Sequence, residues 1–250
     1  MFVNVVQGGE RVVLLVLLAI WAALLVGGFA FGWRGKTPER RMPTWTRIGS
    51  SLALVVAGGD WYLFTRTSRA GGETLLIALG MALGFVGDLA LAAVLPLRQP
   101  VVVGMAAFGL GHIAYIFALV RFGNDAGLAA AWPRYSALGV WLFVGLVGWY
   151  LMVARGRSLT PLRWAALPYA LLLAGTAGVA AGLSLQTGAF LPTALGGALF
   201  LASDLILAGQ LFGELTFPLI GDVIWLTYGP AQALLVYGTD AAILAVLATR

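Results

Sequence analysis

Two eight-residue stretches of this 250-residue chain nearly repeat each other: "FVGDLALA" at 85–92 and "LASDLILA" at 201–208. Each sets one aspartate, Asp88 or Asp204, inside a long apolar run. A carboxylate is costly in such a setting, and ionisable residues kept there mark sites that face other helices or a water-filled cavity. Two carboxylates brought together in a low dielectric do not both ionise readily, so one keeps its proton. Such a pair supplies a general acid and, beside it, a negative charge that steadies a cation and orients water.

Further polar residues lie in similar surroundings. His112 sits in "FGLGHIAYI", with Tyr115 one turn on. Tyr228 and Gln232 form an i, i+4 pair in "DVIWLTYGPAQALL" and so share a helix face. Ser203 precedes Asp204, but no base partner is evident for a serine nucleophile. Asp222 reads as an N-cap, Asp60 and Asp240 as interfacial, and Glu73 and Glu214 as solvated residues bordering helices.

The elements that position these residues are membrane helices. The chain is 61% hydrophobic and 10% charged, with a mean hydropathy of +0.95; soluble domains have about 45–50% apolar and about 25% charged residues. Runs near the 20 residues needed to cross a bilayer fall at 12–33, 48–64, 74–95, 100–121, 136–154, 163–185, 191–212 and 222–247. The second is the shortest. "RVVLLVLLAIWAALLVGGFAFGW" exceeds a signal-peptide core and no A-x-A-like site follows it, so it reads as the first span. The connections, such as "RGKTPERRMPTWTR", "PLRQP" and "RGRSLTPLR", are short. The expected fold is therefore all-α: one transmembrane domain over 1–250, a polytopic bundle of eight helices.

Composition also limits the chemistry. The chain has no cysteine, which excludes disulfides, thiolate metal sites and cysteine nucleophiles, and its one histidine excludes a multi-histidine zinc site. No metal or other cofactor is expected. The formal charge of +5 comes from basic residues between apolar runs, where they set topology, and no nucleic-acid signature is present. Nine Lys and Arg fall in the loops after spans 1, 3, 5 and 7 against six on the other side. That bias places both termini outside, in a bacterial inner (plasma) membrane.

Spans 3 and 7 run in the same direction, and each aspartate falls about three residues past the middle of its span. Both should lie roughly 4–5 Å from the midplane on one side. Gly80, Gly84 and Asp88 share a face, as do Gly196, Phe200 and Asp204. A shift of 116 residues carries Asp88 onto Asp204 and His112 onto Tyr228. Two parallel four-helix repeats would produce this, and so would a chance likeness between helices rich in Leu, Ala and Gly.

"LGMALGFVGDLALA" followed by "VGMAAFGLGHIAYI" resembles the YhhN lysoplasmalogenase family of multispan membrane proteins. The shared pattern is a Gly-Asp in one helix, then a Gly-x-x-x-Phe run and a His-x-x-Tyr in the next. "GGALFLASDLILAGQLF" resembles the family's later Ser-Asp motif and "TYGPAQALL" its closing Tyr-x-x-x-Gln helix. The resemblance covers about residues 74–120 and 193–237 and is weak or absent in the first 70. It implies an eight-helix bundle that hydrolyses the vinyl ether bond of lysoplasmalogens to a fatty aldehyde and a glycerophospho-headgroup. It also implies a site of Asp88, His112, Tyr115, Asp204, Tyr228 and Gln232, with a lysophospholipid and the surrounding lipid as partners.

Vinyl ether hydrolysis needs an acid, a nearby negative charge and a positioned water, which an aspartate dyad can provide. Asp204 is the preferred acid, with Ser203 assisting the water. The substrate needs a cavity that opens sideways to lipid and has a polar vestibule for its phosphate. Arg98, Arg155 and Arg157 are the basic candidates to attract that phosphate, or serve topology alone. The rival reading is a proton- or cation-coupled transporter of a small molecule or lipid built on the same aspartates. A structural or partner-binding membrane subunit is a third, and it would tolerate Asp→Asn changes.

Overall fold

The computed structural model describes residues 3–32 and 39–249. The chain forms α1 (Gly8–Phe31), α2 (Thr44–Thr65), α3 (Gly71–Leu91), α4 (Pro100–Asp125), α5 (Ala131–Trp149), α6 (Pro161–Ser184), α7 (Leu191–Gly213), α8 (Ile220–Tyr237) and α9 (Thr239–Ala248). A π-helical turn, Tyr150–Ala154, extends α5. Only Gly238 separates α8 from α9, and together they make one span of 29 residues. The result is eight helical rods, with no strand among the described residues. Trp33, Arg34, Lys36 and Arg250, which entered the span and charge readings, lie outside the described residues.

Local sequence accounts for several helix starts. Pro100 and Pro161 open α4 and α6, and Pro192 lies in the first turn of α7, positions where the missing N–H has no intrahelical partner anyway. Thr160 caps α6 by accepting from the Arg163 N–H. Arg157 and Arg163 donate to the Gly213 and Phe212 carbonyls at the end of α7, satisfying acceptors that the helix leaves open.

Seven of the eight rods are long and apolar enough to cross a membrane, and α2 is the exception. It has the length but carries Thr46, Arg47, Ser50 and Ser51, all buried. The expected second span is thus a helix whose polar residues point into the bundle, which lowers its hydropathy without exposing polar groups to lipid. The expected third span also ends early. The Ala92 N–H closes back on the Asp88 carbonyl, and Ala93 turns the chain at φ 54°. Asp88 therefore lies within one turn of the last residue of α3, well past its middle, while Asp204 lies near the middle of α7.

Contacts between neighbours define a closed ring: α2, α3, α4, α6, α7 and α8, with α8 returning to α2. α1 packs outside on α2 and α8, and α5 packs outside on α6 and α7. Burial follows this order, with 17% of the α1 window inside the bundle against 67% for the α8–α9 span. Small residues allow the close crossings that hold membrane helices together. A Cβ on Gly111 of α4 would lie 2.9 Å from the Gly80 carbonyl of α3, and one on Gly197 of α7 would lie 2.8 Å from Ala177 Cα of α6.

Three acidic residues differ from their sequence readings. Asp222 lies inside the first turn of α8, with Leu219 at the cap position, and its carboxylate accepts the Arg41 and Met42 N–H groups at 2.5 and 2.9 Å. With the Gly221 N–H donating to the Glu39 carbonyl, this pins the end of the α1–α2 connection across the α8 N-terminus. Asp240 is buried and accepts from Asn4 Nδ2 and the Val5 N–H, each at 2.9 Å. Glu73 is fully buried and accepts from Arg121 Nε at 2.9 Å. All three are tolerated inside because loop backbone, a side-chain amide or a cation supplies hydrogen bonds that water would have supplied.

Candidate functional site

The ring of helices brings Asp88 and Asp204 to the wall of one cavity of about 250 Å³. The cavity lies at the end of the bundle where the α1–α2, α3–α4 and α7–α8 connections gather, with Glu39, Arg40, Pro100 and Gly221 at that end. Beside it runs a narrow apolar groove of about 40 Å³, bounded by Met105, Trp149, Val153, Ala166 and Ala170. The π turn after α5 supplies Val153 to that groove. The two spaces share part of their walls, including Phe108, Asp204 and Leu211. Asp88 faces the polar cavity only, whereas Asp204 stands where the polar and apolar spaces meet. Leu211 is 46% exposed, so the shared wall reaches the outer surface of the bundle.

Each aspartate is held by a hydroxyl from the helix that precedes its own. Ser51 Oγ of α2 donates to Asp88 Oδ2 at 2.5 Å. Tyr169 OH of α6 donates to Asp204 Oδ2. Tyr228 and Gln232 of α8 also interact with the Asp88 carboxylate, and Gln232 Nε2 donates to the Tyr228 hydroxyl. Asp88 is 4% exposed and Asp204 is only partly buried. The two carboxylates are within electrostatic reach of each other.

An aromatic cluster fixes Tyr228. Its ring meets Phe200, Trp225 and Phe108 edge-on at centroid distances of 5.0, 5.2 and 5.9 Å. Edge-to-face contacts of this kind orient rings as well as bury them. Pro168 and Pro230 sit inside α6 and α8, beside Tyr169 and near Tyr228. Each removes a backbone donor in its helix next to a tyrosine that addresses an aspartate.

Of the residues singled out in the sequence, Asp88, Asp204, Ser203 and Tyr228 line the cavity. Gln232 is not on the cavity wall; it donates to the Tyr228 hydroxyl and also interacts with the Asp88 carboxylate. The Ser203 hydroxyl is occupied, donating to the Ile224 carbonyl at 3.1 Å and tying α7 to α8. His112 and Tyr115 are not on the cavity wall. His112 lies behind Phe200, ring centroids 4.4 Å apart, with Nδ1 2.9 Å from Thr176 Oγ1. Tyr115 packs over Gly80, where a Cβ would come within 2.5 Å of its ring, and its hydroxyl points at Met81 Sδ. Arg98, Arg155 and Arg157 do not line the cavity either, and Arg157 is engaged at the α7 terminus. Among the described residues, the basic ones on the cavity wall are Arg40 and Arg47.

Sequence reasoning passed over Ser51, Tyr169, Arg47 and the wall residues Phe108 and Trp225. A signal existed for two of them. Ser50 and Ser51 interrupt an apolar run, and Tyr169 follows a proline in the middle of a span. Among the described residues no three His, Asp or Glu side chains gather closely enough to hold a metal ion.

Fold and site together define a polytopic helical membrane protein with a paired-carboxylate cavity between its helices. The chain belongs to the YhhN family, whose model matches residues 48–239. The match takes in both aspartates with Ser51, Tyr169, Tyr228 and Gln232, and begins one residue after Arg47. No curated protein and no solved structure matches the chain.

Proposed function

We propose that this protein is a membrane hydrolase that cleaves the vinyl ether bond of alkenyl lysophospholipids, releasing a fatty aldehyde and a glycerophospho-headgroup. The observation that carries this reading is the position of Asp204 between a polar cavity and an apolar groove, with Asp88 on the polar side. A lysolipid has that form: a headgroup, one bond to be cut, and one chain. Membership in a lysoplasmalogenase-like family supports the same chemistry.

The chain lies in the groove and leaves it past Leu211 towards the bilayer. The glycerophospho part lies in the cavity. The alkene carbon that takes the proton is on the chain side of the ether oxygen, which is the side of Asp204. Asp204 is therefore the acid, and the Tyr169 hydroxyl stabilises its carboxylate as the proton leaves. Protonation gives an oxocarbenium ion at the carbon bonded to oxygen. Asp88, which accepts from the Ser51 hydroxyl and is approached by its α8 partners, serves as the carboxylate that faces that cation and guides water to it. The water loses a proton to a carboxylate as it adds. The hemiacetal then collapses, its O–H proton leaving as the glycerol oxygen gains one, and the aldehyde departs. Ser203 has no part in this sequence, because its hydroxyl is bound to a backbone carbonyl.

The test is aldehyde release from an alkenyl lysophospholipid by purified protein in detergent, beside Asp88→Asn and Asp204→Asn variants of unchanged fold. Aldehyde from the wild type and not from either variant supports the reading. A folded wild type that releases none, yet moves substrate unchanged across liposomes, replaces it with a transporter.

A further inference from the structure

The cavity holds a feature that the carboxylate chemistry does not use. Arg47 lines its wall and is 5% exposed. Its Nη2 donates to Thr44 Oγ1 at 3.0 Å, but Nε has no hydrogen-bond partner among the described residues. Its guanidinium lies 5.3 Å from the centroid of the Trp225 ring. Among the described residues no carboxylate is within ion-pair distance of Arg47. Asp222 and Asp88 act on Arg47 through space without pairing with it; Asp222 accepts the Arg41 and Met42 N–H groups, and Glu39 also lines the cavity. Arg40 lines the same wall and feels the charge of Arg47.

A buried guanidinium that makes no ion pair among the described residues, and is reached by Asp222 and Asp88 only through space, is costly, and a second cation beside it raises that cost. The arrangement is stable when an anion with several acceptor oxygens fills the space between them, and phosphate geometry matches the guanidinium fork. The α1–α2 connection that carries Arg40 and leads to Arg47 is clasped onto α8 by Asp222 and by the Gly221–Glu39 hydrogen bond. That clasp fixes the backbone that carries Arg40 and leads into α2 before anything binds. Trp225, covering one face of Arg47, restricts the guanidinium to its plane.

We propose that Arg47 and Arg40 form a preorganised site for the phosphodiester of a lysophospholipid, setting the distance from headgroup to the bond at Asp204. The lipid identity rests on the hydrolase reading above; the anion site does not. The assignment makes phosphate-bearing lipids preferred over their phosphate-free glycerol counterparts, with Arg47 the main source of that preference.

Binding to the purified protein in detergent tests this through quenching of tryptophan fluorescence, with three probes: an uncleavable alkyl-ether lysophospholipid, the matching alkylglycerol and inorganic phosphate. Arg47→Gln should weaken the lysophospholipid roughly thirtyfold, as expected for loss of charged hydrogen bonds, and leave the alkylglycerol within about twofold. Arg47→Lys should recover part of the loss, because a point charge replaces a fork. Equal weakening of both lipids, or of neither, would overturn the proposal. Inorganic phosphate that binds the wild type as tightly as the lipid would overturn the headgroup assignment in favour of a free anion. Thermal unfolding of the same samples separates binding loss from misfolding, and Arg40→Gln gives a second, smaller discrimination if Arg47→Gln is unstable. Because the alkyl lipid is not cut, failure of aldehyde release leaves this test standing. In turn, failure of the anion site leaves the hydrolase test standing.

Discussion

The α2–α3 and α6–α7 helix pairs solve one problem in two ways. In each pair the second helix presents an aspartate and the first presents a hydroxyl to it: Ser51 to Asp88, Tyr169 to Asp204. There the likeness stops. Asp88 is more deeply buried, lies one turn from the end of α3, and is approached by Tyr228 and Gln232 as well. Among the described residues Tyr169 alone hydrogen-bonds Asp204, which is partly open and borders the apolar groove. Two carboxylates in nearly identical sequence contexts are thus made unequal by their neighbours. That inequality is what acid–base chemistry requires of a pair, since one must give up a proton while the other stays charged.

The comparison can be broken most sharply at the aspartates themselves. Asp204→Asn should lower kcat by about ten-thousandfold and Asp88→Asn by a few hundredfold, within the range for loss of a general acid and of an electrostatic stabiliser. Single-turnover aldehyde release would measure both, and the reverse order would exchange the roles. Next come the hydroxyls. Tyr169→Phe should reduce kcat roughly thirtyfold with KM little changed, because its hydrogen bond strengthens as Asp204 becomes charged. Ser51→Ala should cost only about fivefold, since Tyr228 and Gln232 still address Asp88; steady-state kinetics would decide. If Ser51→Ala costs more than Tyr169→Phe, the crowded aspartate is the one whose charge develops.

A smaller effect distinguishes the two spaces. Ala170→Leu narrows the groove without touching the polar cavity. It should shift preference towards shorter alkenyl chains by about tenfold in kcat/KM, the scale of a methylene or two in an apolar pocket. Competition between chains of two lengths would show it. Smallest of all, Ser203→Ala should leave kcat and KM within about twofold and lower stability by about 0.6 kcal/mol, the usual worth of a hydrogen bond between membrane helices. A large kinetic loss there would return Ser203 to the chemistry.

The 116-residue spacing read in the sequence links positions that the fold places in different surroundings. The 116-residue shift carries Asp88 to Asp204, and both line the same cavity. It also carries His112 to Tyr228, yet Tyr228 lines the cavity while His112 lies behind Phe200. A lone polar residue in a span announces a partner, not which partner. Thr176 partners the Nδ1 of His112, which does not line the cavity.

By itself the sequence determined the rods and the residues that had to turn inward. Apolar length and punctuating Pro, Gly and Arg set where helices run, because lipid tolerates no unpaired backbone and few charges. The same rule singled out Asp88 and Asp204, and the i, i+4 spacing put Tyr228 beside Gln232. Tertiary structure alone decided the rest. That α8 closes the ring against α2 brings Trp225 to Arg47, and that α6 lies against α7 brings Tyr169 to Asp204. A helix's own period says which residues share its face, but not which other face they will meet. That choice belongs to the close crossings of small residues along the whole bundle, whose contacts are summed over many helices and leave no local mark.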